Sequence, residues 1–344
     1  MRQFIYSALV LLLIAMTSSV AQGVELGVKQ DRFTIDGKPI FLLGCSYYSG
    51  LGASEKTLHT DLDELHRLGF NWIRVFADWT AYNKDLSAVD VLTGVPRQPY
   101  LERLMRLCDE CDRRGMIVDV TLARGTGANH EPCLQTLPVH RQAVETLVNA
   151  LKSHKNWYLD LSNEQNIRDV RYTSIDQLAN LRDTAKKLDP HLLITASHGG
   201  DASKEEIRAY LQKAHFDLIS IHRERDPKAP AKAADVTRQY KQWIQEIGPV
   251  VPLQYDEPFR RGYSDWEPIA TDFVKDLQAS RDAGAAGWCF HNGDSRRAPD
   301  RKPRRSFDLQ DQPLFEQLDA QEQKFLSLLP EAPKQPAAGH GPHP

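Results

Sequence analysis

The sequence predicts a single (β/α)8 barrel, an α/β fold in which eight parallel strands alternate with eight helices. Apolar runs typical of buried strands alternate with segments of helical apolar spacing, eight times in succession. Polar residues, carboxylates among them, follow several of these strands, and active sites of such barrels lie at the carboxyl ends of their strands. The first strand–helix loop, GCSYYSGLG, lacks the GxGxxG pattern of dinucleotide-binding doubly wound sheets, which disfavours that rival fold.

A short N-terminal β-hairpin precedes the barrel, because Asp36-Gly37 is a turn signal between two apolar runs. The predicted barrel strands are, in chain order, PIFLLGC, NWIRVFADW, MIVDVTLA, WYLDLS, LLITAS, FDLISIH, PVVPLQY and AAGWCFH. The helices that follow them are predicted over residues 57–70, 100–114, 140–153, 174–188, 203–213, 233–247, 268–283 and 313–329.

Both ends of the chain are predicted to lie outside the barrel, which spans residues 22–329. Arg2 precedes an apolar run over residues 4–16, and small residues at Ser19 and Ala21 follow, which is typical of a signal peptide over residues 1–21. An uncleaved anchor is the alternative. Residues 330–344 are rich in Pro and Gly without apolar periodicity, which indicates a disordered tail. We therefore expect a secreted or periplasmic protein with no membrane attachment after signal cleavage.

The composition excludes some partners and cofactors. A net charge of -3 provides no basic field for nucleic acid. The five cysteines cannot all pair with one another, and Cys108 and Cys111 share a helical stripe with Leu104, which indicates core packing more than a metal site. We expect a monomer that needs no metal and no organic cofactor.

Two carboxylates are predicted to face each other across the barrel mouth. Glu164 follows strand four and Glu257 follows strand seven. Such a pair is the minimum for glycoside hydrolysis: one carboxyl group protonates the leaving oxygen, and the other attacks the anomeric carbon or activates water. Arg74, near the end of strand two, would keep the nucleophile ionised. Asp256 is a rival for Glu257, since side chains alternate along a strand and only one neighbour would face the site.

In these motifs the chain resembles the clan A glycoside hydrolases, the cellulase- and mannanase-like family 5 barrels, from IDGKPIFLLG to GWCFHNG. The resemblance implies that Glu164 in SNEQN is the acid/base and that Glu257 in QYDEP is the nucleophile of a retaining enzyme. The predicted substrate contacts are Arg74, Asn163, His222, Tyr255, Trp288 and His291. Two features depart from the family pattern: Glu224 stands where well-known members carry a tyrosine, and strand three ends without a histidine.

Several of these residues also have a purely structural interpretation. Asn163 is also a common turn residue, Glu257 would suit a surface turn, and His222 would suit a barrel core. The departures motivate a second reading, a catalytically inactive barrel that binds carbohydrate. A metal-dependent barrel hydrolase is a third. Carboxylates about 5–5.5 Å apart would favour retention, whereas side chains that point apart would favour the binding protein.

The predicted mouth loops are rich in arginine, and this bears on the substrate, which we expect to be an oligo- or polysaccharide. Arginine binds carboxylate and sulfate groups through two parallel hydrogen bonds, which suggests an anionic glycan. Interleaved acids offer the alternative of a salt-bridged rim. The basic residues are Arg124, Arg168, Arg171, Arg223, Arg225, Arg260, Arg261, Arg296, Arg297, Arg301, Lys302, Arg304 and Arg305, and the acids are Asp169, Glu224, Asp226, Asp294 and Asp300.

Overall fold

A computed structural model describes residues 23–126, 131–293, 307–310 and 312–329, and these form a (β/α)8 barrel. All neighbouring strands are parallel, in the order 5-4-3-2-1-8-7-6, and a bridge between His198 and Ile221 joins strands five and six. The strands are β1 (Leu42–Ser46), β2 (Trp72–Phe76), β3 (Ile117–Thr121), β4 (Trp157–Asp160), β5 (Leu193–Thr195), β6 (Ile219–Ser220), β7 (Leu253–Tyr255) and β8 (Gly287–Phe290). The predicted signal peptide and tail lie outside the described residues.

One helical layer surrounds the strands. The helices are α1 (Glu55–Arg67), α2 (Tyr100–Arg113), α3 (Leu137–Leu151), α4 (Ile175–Leu188), α5 (Lys204–Gln212), α6 (Ala229–Ile247), α7 (Ala270–Asp282), α8 (Leu314–Gln317) and α9 (Ala320–Leu328). The single helix predicted over 313–329 is therefore wrong. Asp319 has an extended backbone there, and its side chain accepts from the amides of Gln321 and Glu322, which starts a new helix. In the described ranges no helix is long and apolar enough to cross a membrane.

Several strands are shorter than the apolar runs that predicted them. The run over residues 249–255 becomes β7 only from Leu253, since Pro252 has no amide hydrogen to pair with a neighbouring strand. The run over residues 216–222 is paired as a strand only at Ile219 and Ser220. Side chains after the last paired residue are then free of the strict alternation of a strand, and this matters for the residues that follow β7.

The predicted N-terminal hairpin is confirmed and carries one further strand. Its strands Arg32–Ile35 and Lys38–Ile40 flank a turn at Asp36 and Gly37, both with positive φ, and Leu26–Lys29 pairs with the first of them. Phe33 is buried against the amino-terminal end of the barrel, with its ring 6.5 Å from that of Tyr158. The small sheet thus covers the barrel floor, and the opposite end carries the polar residues.

The barrel interior changes from apolar to polar along each strand. Trp72 lies on the floor, and Arg74, two residues later, points inward on the same face of β2. Asp119 of β3 and Asp160 of β4 point to the same level and are fully buried. The five cysteines are buried and unpaired, and Cys108 and Cys111 lie in the core side of α2 as predicted.

Close packing on the barrel floor leads to a stability test. A β-carbon at Gly44 would lie 2.3 Å from the indole of Trp72, so Gly44→Ala must displace that ring. We expect a loss of about 1–3 kcal/mol in the free energy of unfolding, measured by denaturant titration. Gly248→Ala is the control, because a β-carbon there meets nothing within 4 Å. Equal stability of the two variants would contradict the packing described for the floor.

Candidate active site

Arg74 lies at the centre of the polar end of the barrel. Its guanidinium is fully buried and contacts carboxylates from three different strands or strand ends. The distances from its nitrogens are 2.6 Å to Glu257 Oε1, 2.8 Å to Asp160 Oδ2, 3.0 Å to Asn163 Oδ1, 3.2 Å to Asp119 Oδ2 and 3.4 Å to Asp256 Oδ2. A buried guanidinium is stable only when its charge and its donors are satisfied in this way.

Both acids that follow β7 face the site, so the expectation that only one would do so is wrong. Because β7 ends at Tyr255, Asp256 and Glu257 lie beyond the paired strand, where alternation no longer separates neighbours. Asp256 contacts Arg74 and lies 3.6 Å from His222 Nε2. Burial alone would raise the pKa of Asp256, but the charges of Arg74 and His222 lower it.

Glu257 presents its two oxygens to different partners. Oε1 accepts hydrogen bonds of 2.6 Å from Arg74 and 2.6 Å from the Tyr48 hydroxyl. Oε2 accepts from Arg225 at 2.9 Å and lies 3.7 Å from His291 Nδ1. Oε1 is therefore anchored in the barrel, and Oε2 faces the open side of the cluster.

Glu164 stands opposite Glu257. It follows β4 with a left-handed backbone, φ 50°, an uncommon conformation for a residue other than glycine that is concentrated at functional sites. One of its carboxylate oxygens lies within 4.8 Å of an oxygen of Glu257. Oε1 lies 3.2 Å from His222 Nδ1, and Oε2 accepts from Arg171. Burial would raise the pKa of Glu164, but the hydrogen bond and charge of His222 and the charge of Arg225 lower it well below its usual range.

His222 lies between these acids and is fully buried. Burial would lower the pKa of its ring, but the charges of Glu257 and Asp256 and the contacts with Asp256 and Glu164 raise it to about 9. The ring is therefore protonated at neutral pH. Nδ1 then donates to Glu164, and Nε2 faces Asp256.

Asn163 and His291 also reach the site, as the sequence predicted. Asn163 Oδ1 accepts from Arg74, while its Nδ2 is buried without a hydrogen-bond partner among the described residues. That leaves a donor available beside Arg74, and a bound hydroxyl group would satisfy it. The His291 ring lies 5.6 Å from that of Tyr48, beside Glu257.

Tyr255 and Trp288 do not line the site, contrary to the sequence prediction. Tyr255 is buried, and its hydroxyl lies 2.7 Å from that of Thr237 in α6. The Trp288 indole donates to Asp276 of α7 at 2.7 Å. Both side chains point from the barrel wall toward the helices, since they have the opposite strand parity to the inward residues.

Three groups of the site were not assigned by sequence. Asp119 and Asp160 complete the contacts of Arg74, and the signal for them was an acid at the inward position of an otherwise apolar strand. Tyr48 donates to Glu257 from the loop after β1. The two adjacent tyrosines of that loop were visible in the sequence, but nothing there indicates which one turns inward.

The arginine-rich rim divides into two groups. Arg223 binds Asp276 and Arg261 binds Asp319, which are contacts of a salt-bridged rim, and Arg124 donates to the Tyr172 carbonyl and the Gln177 side chain. Arg171 and Arg225 instead contact the two glutamates. The basic run at 296–305 lies outside the described residues.

Among the described residues, two groups of three side chains have a spacing that would suit a metal ion: Glu164, His222 and Glu257, and Asp119, Asp160 and Asp256. Arg74 contacts all three acids of the second group. In the first group arginines contact both glutamates. The charges of these arginines already compensate the acids of both groups, so the donor sets do not fit a resident cation.

The raised pKa of His222 leads to a test of this site. Its folded-state pKa of about 9 exceeds the 6.5 of an unperturbed histidine. The charge of His222 therefore stabilises the fold fully below about pH 6.5, and this contribution disappears as the pH rises through about 9. We expect the difference in melting temperature between wild type and His222→Gln to shrink over that interval. His66→Gln, on the exposed side of α1, is the control. A difference that stays constant from pH 6 to 10 would contradict a charged His222.

No protein-family model matches the sequence, and no curated protein matches it. Solved structures do match. A Bacteroides vulgatus protein described as a candidate glycoside hydrolase aligns with a TM-score of 0.65 and 14% identity over 85% of this chain and 58% of its own. The exo-β-1,4-mannosidase Op5Man5 of an Opitutaceae bacterium aligns with a TM-score of 0.59 and 18% identity over 85% of this chain and 59% of its own.

A third match spans nearly the whole of both chains. The glycoside hydrolase family 5 mannosidase of Rhizomucor miehei aligns with a TM-score of 0.63 and 14% identity over 89% of this chain and 96% of its own. The chain thus spans less than two thirds of the first two proteins and nearly all of the third. These similarities identify the architecture: the chain has the (β/α)8 barrel fold of these proteins.

Proposed function

We propose that the protein is a glycoside hydrolase that cleaves O-glycosidic bonds of an oligo- or polysaccharide with retention of configuration. The observation that carries the proposal is the pair Glu164 and Glu257, buried in one site with oxygens within 4.8 Å of each other. That closeness suits the narrow carboxylate pair of retaining enzymes better than the wider pair of inverting ones. Side chains that pointed apart would have favoured a carbohydrate-binding protein.

Glu257 is the nucleophile in this proposal. Arg74 and Tyr48 bind Oε1, so that the carboxylate is oriented and its negative charge is stabilised. Oε2 faces Glu164 and attacks the anomeric carbon. The bond from that carbon to the leaving oxygen breaks as the bond to Oε2 forms, which gives a covalent glycosyl ester.

Glu164 is the acid and then the base. It gives its proton to the leaving oxygen, and in the second step it takes a proton from the water that hydrolyses the ester. In the free protein, however, His222 and Arg225 lower the pKa of Glu164, so it is ionised there. Burial acts in the opposite direction on the same group, so a bound sugar that excludes water and separates Arg225 from Glu164 raises its pKa, while His222 still donates to it. Glu164 then takes up a proton from solvent as the substrate binds.

The remaining residues position the sugar and the two acids. The unpartnered Nδ2 of Asn163 would donate to the hydroxyl group next to the anomeric carbon. His222 orients Glu164, and His291 lies beside the attacking oxygen of Glu257. Mannosides are the first neutral substrates to test, since two of the similar structures are named mannosidases. In the proposal residues 22–329 form the catalytic domain, and the chain is exported after loss of residues 1–21.

Replacement of either glutamate is the direct test. We expect Glu164→Gln and Glu257→Gln each to lower kcat/KM by about 10²–10⁴-fold or more, because each removes one chemical step. Glu205→Gln is the matched control, a glutamate exposed in the first turn of α5. The measurement is release of a fluorescent aglycone.

Azide rescue then separates the two roles. With a reactive leaving group, azide should restore Glu164→Ala and give a glycosyl azide of retained configuration, because azide replaces the water that Glu164 activates. The product of Glu257→Ala should be inverted, because azide attacks in place of the missing nucleophile. Swapped configurations would exchange the assignments, and full activity in either Gln variant would refute them.

Chelation tests the metal-dependent alternative. We expect dialysis against EDTA to leave kcat/KM unchanged within about twofold, since arginines already bind the two carboxylates. Activity that is lost on dialysis and restored by a divalent cation would contradict the proposed mechanism and favour a metal hydrolase.

A further inference from the structure

Arg225 occupies the space between the two glutamates. Its Nη2 lies 2.9 Å from Glu257 Oε2 and 3.7 Å from Glu164 Oε1. The same nitrogen lies 3.3 Å from His222 Nδ1, which is itself a donor when the ring is protonated, so that contact is not a hydrogen bond. In the proposed mechanism the anomeric carbon and the leaving oxygen must occupy this position. A sugar therefore enters only if the Arg225 guanidinium moves.

Moving Arg225 away leaves a charge without a partner. Its side chain is 8% exposed, and its ion-pair partners within the described ranges are the two reacting glutamates. Both of these lose an interaction with Arg225 when substrate binds, because one becomes protonated and the other reacts. A buried guanidinium without an anion is strongly unfavourable. With no further acid paired to Arg225 in the part of the chain that the structure describes, an anionic group on the substrate would supply the missing partner.

Tyr263 limits where the guanidinium goes. Its ring lies 4.6 Å from the Arg225 guanidinium carbon, in a cation–π contact, and it is 50% exposed on the loop after β7. A rotation of Arg225 about this contact keeps the guanidinium at the mouth, above the space that a sugar would fill. Arg171 stands on the other side, where it binds both Glu164 and Asp169. When Glu164 becomes protonated, part of the Arg171 guanidinium also loses its carboxylate partner.

We propose that the sugar at the cleavage point carries an anionic group, a carboxylate or a sulfate, and that Arg225, assisted by Arg171, binds it. This rests on the proposed glycosidase function and specifies its substrate class. Arg225 exchanges the carboxylate of Glu257 for the anion of the substrate. The exchange frees Oε2 for attack and removes from Glu164 one of the charges that keep it ionised. A neutral sugar offers Arg225 no such exchange, so Arg225 remains between the two carboxylates.

The test compares matched fluorogenic glycosides with wild type and variants. The probes are 4-methylumbelliferyl β-glucuronide and β-mannuronide for carboxylates, the 6-sulfated β-glucoside and β-mannoside for sulfates, and the plain β-glucoside and β-mannoside as neutral substrates. We expect wild type to cleave either the two carboxylated or the two sulfated glycosides with a kcat/KM about 10²-fold or more above that for the neutral glycosides. Arg225→Met should remove that preference: the rate on the anionic glycosides should fall, and the rate on the neutral glycosides should rise, because the guanidinium no longer lies between the two glutamates. Arg225→Lys keeps the charge without the two-nitrogen fork and should be intermediate.

Arg168→Met is the matched control. It removes a positive charge from the same rim as Arg171, but its guanidinium stacks on Tyr172 at 4.0 Å and makes no ion pair with either glutamate. Its preference should equal that of wild type. Melting temperatures of all variants establish that they are folded, and titration calorimetry with free glucuronate, mannuronate and the sulfated sugars reports binding without catalysis.

The outcomes separate this inference from the proposed function. If wild type cleaves the neutral glycosides at least as efficiently as the anionic ones, and Arg225→Met has the same preference, the inferred anionic substrate is overturned. The proposed glycosidase function is then unaffected. Binding of an anionic sugar that Arg225→Met abolishes, with no cleavage of any probe, supports the anion site and counts against the hydrolase. Neither binding nor cleavage of any anionic probe overturns the inference.

Discussion

The buried ion-pair network around Arg74 is the interaction on which the rest of the site depends. A guanidinium with no exposed surface is stable in a barrel only if carboxylates compensate its charge, and here they come from β3, from β4 and from the segment after β7. Removal of one partner of such a pair is far more costly than the pair is favourable, so the network fixes the positions of its members. Glu257 and Asn163 are two of those members, and Glu164 follows Asn163 directly. The Arg74 cation, on the barrel side of the site, thus determines the geometry of the reacting pair.

The sequence predicted the parts of the site that follow from strand order. Because parallel strands of a barrel all end at one face, Arg74, Asn163, Glu164, His222, Glu257 and His291 were expected together, and the structure brings them together. Tyr255 and Trp288 were assigned wrongly because alternate residues of a strand point into the barrel or toward the helices, and the sequence prediction took the wrong set of positions. An apolar run longer than the paired strand does not define which positions point inward.

The same limitation explains Asp256, which was taken as an exclusive rival of Glu257 although both face inward beyond the last paired residue. The positions of Arg225 and Arg171 depend on loop conformations, and no periodic pattern encodes those. The sequence shows that the mouth loops are rich in arginine, but it does not show which two arginines reach the glutamates.

The electrostatics of the free site oppose the chemistry proposed for it, and this opposition has a physical use. His222 and Arg225 keep Glu164 ionised, although catalysis needs its proton, and Arg225 also covers the oxygen that must attack. A site in this state reacts poorly with water or with a sugar that cannot displace the arginine. Substrate binding and the activation of both glutamates then become one event, so that specificity is expressed in the reaction rate as well as in affinity.

The central claim, that Glu257 is the nucleophile of a retaining glycosidase, is tested most directly by trapping the covalent intermediate. The protein is incubated with activated 2-deoxy-2-fluoro glycosides of the manno, gluco and uronic acid series, and intact mass and peptide mapping locate the adduct. The account requires one equivalent of sugar bound as an ester to Glu257. An adduct on Asp256, or turnover of the parent glycosides with inversion and no adduct, would contradict it.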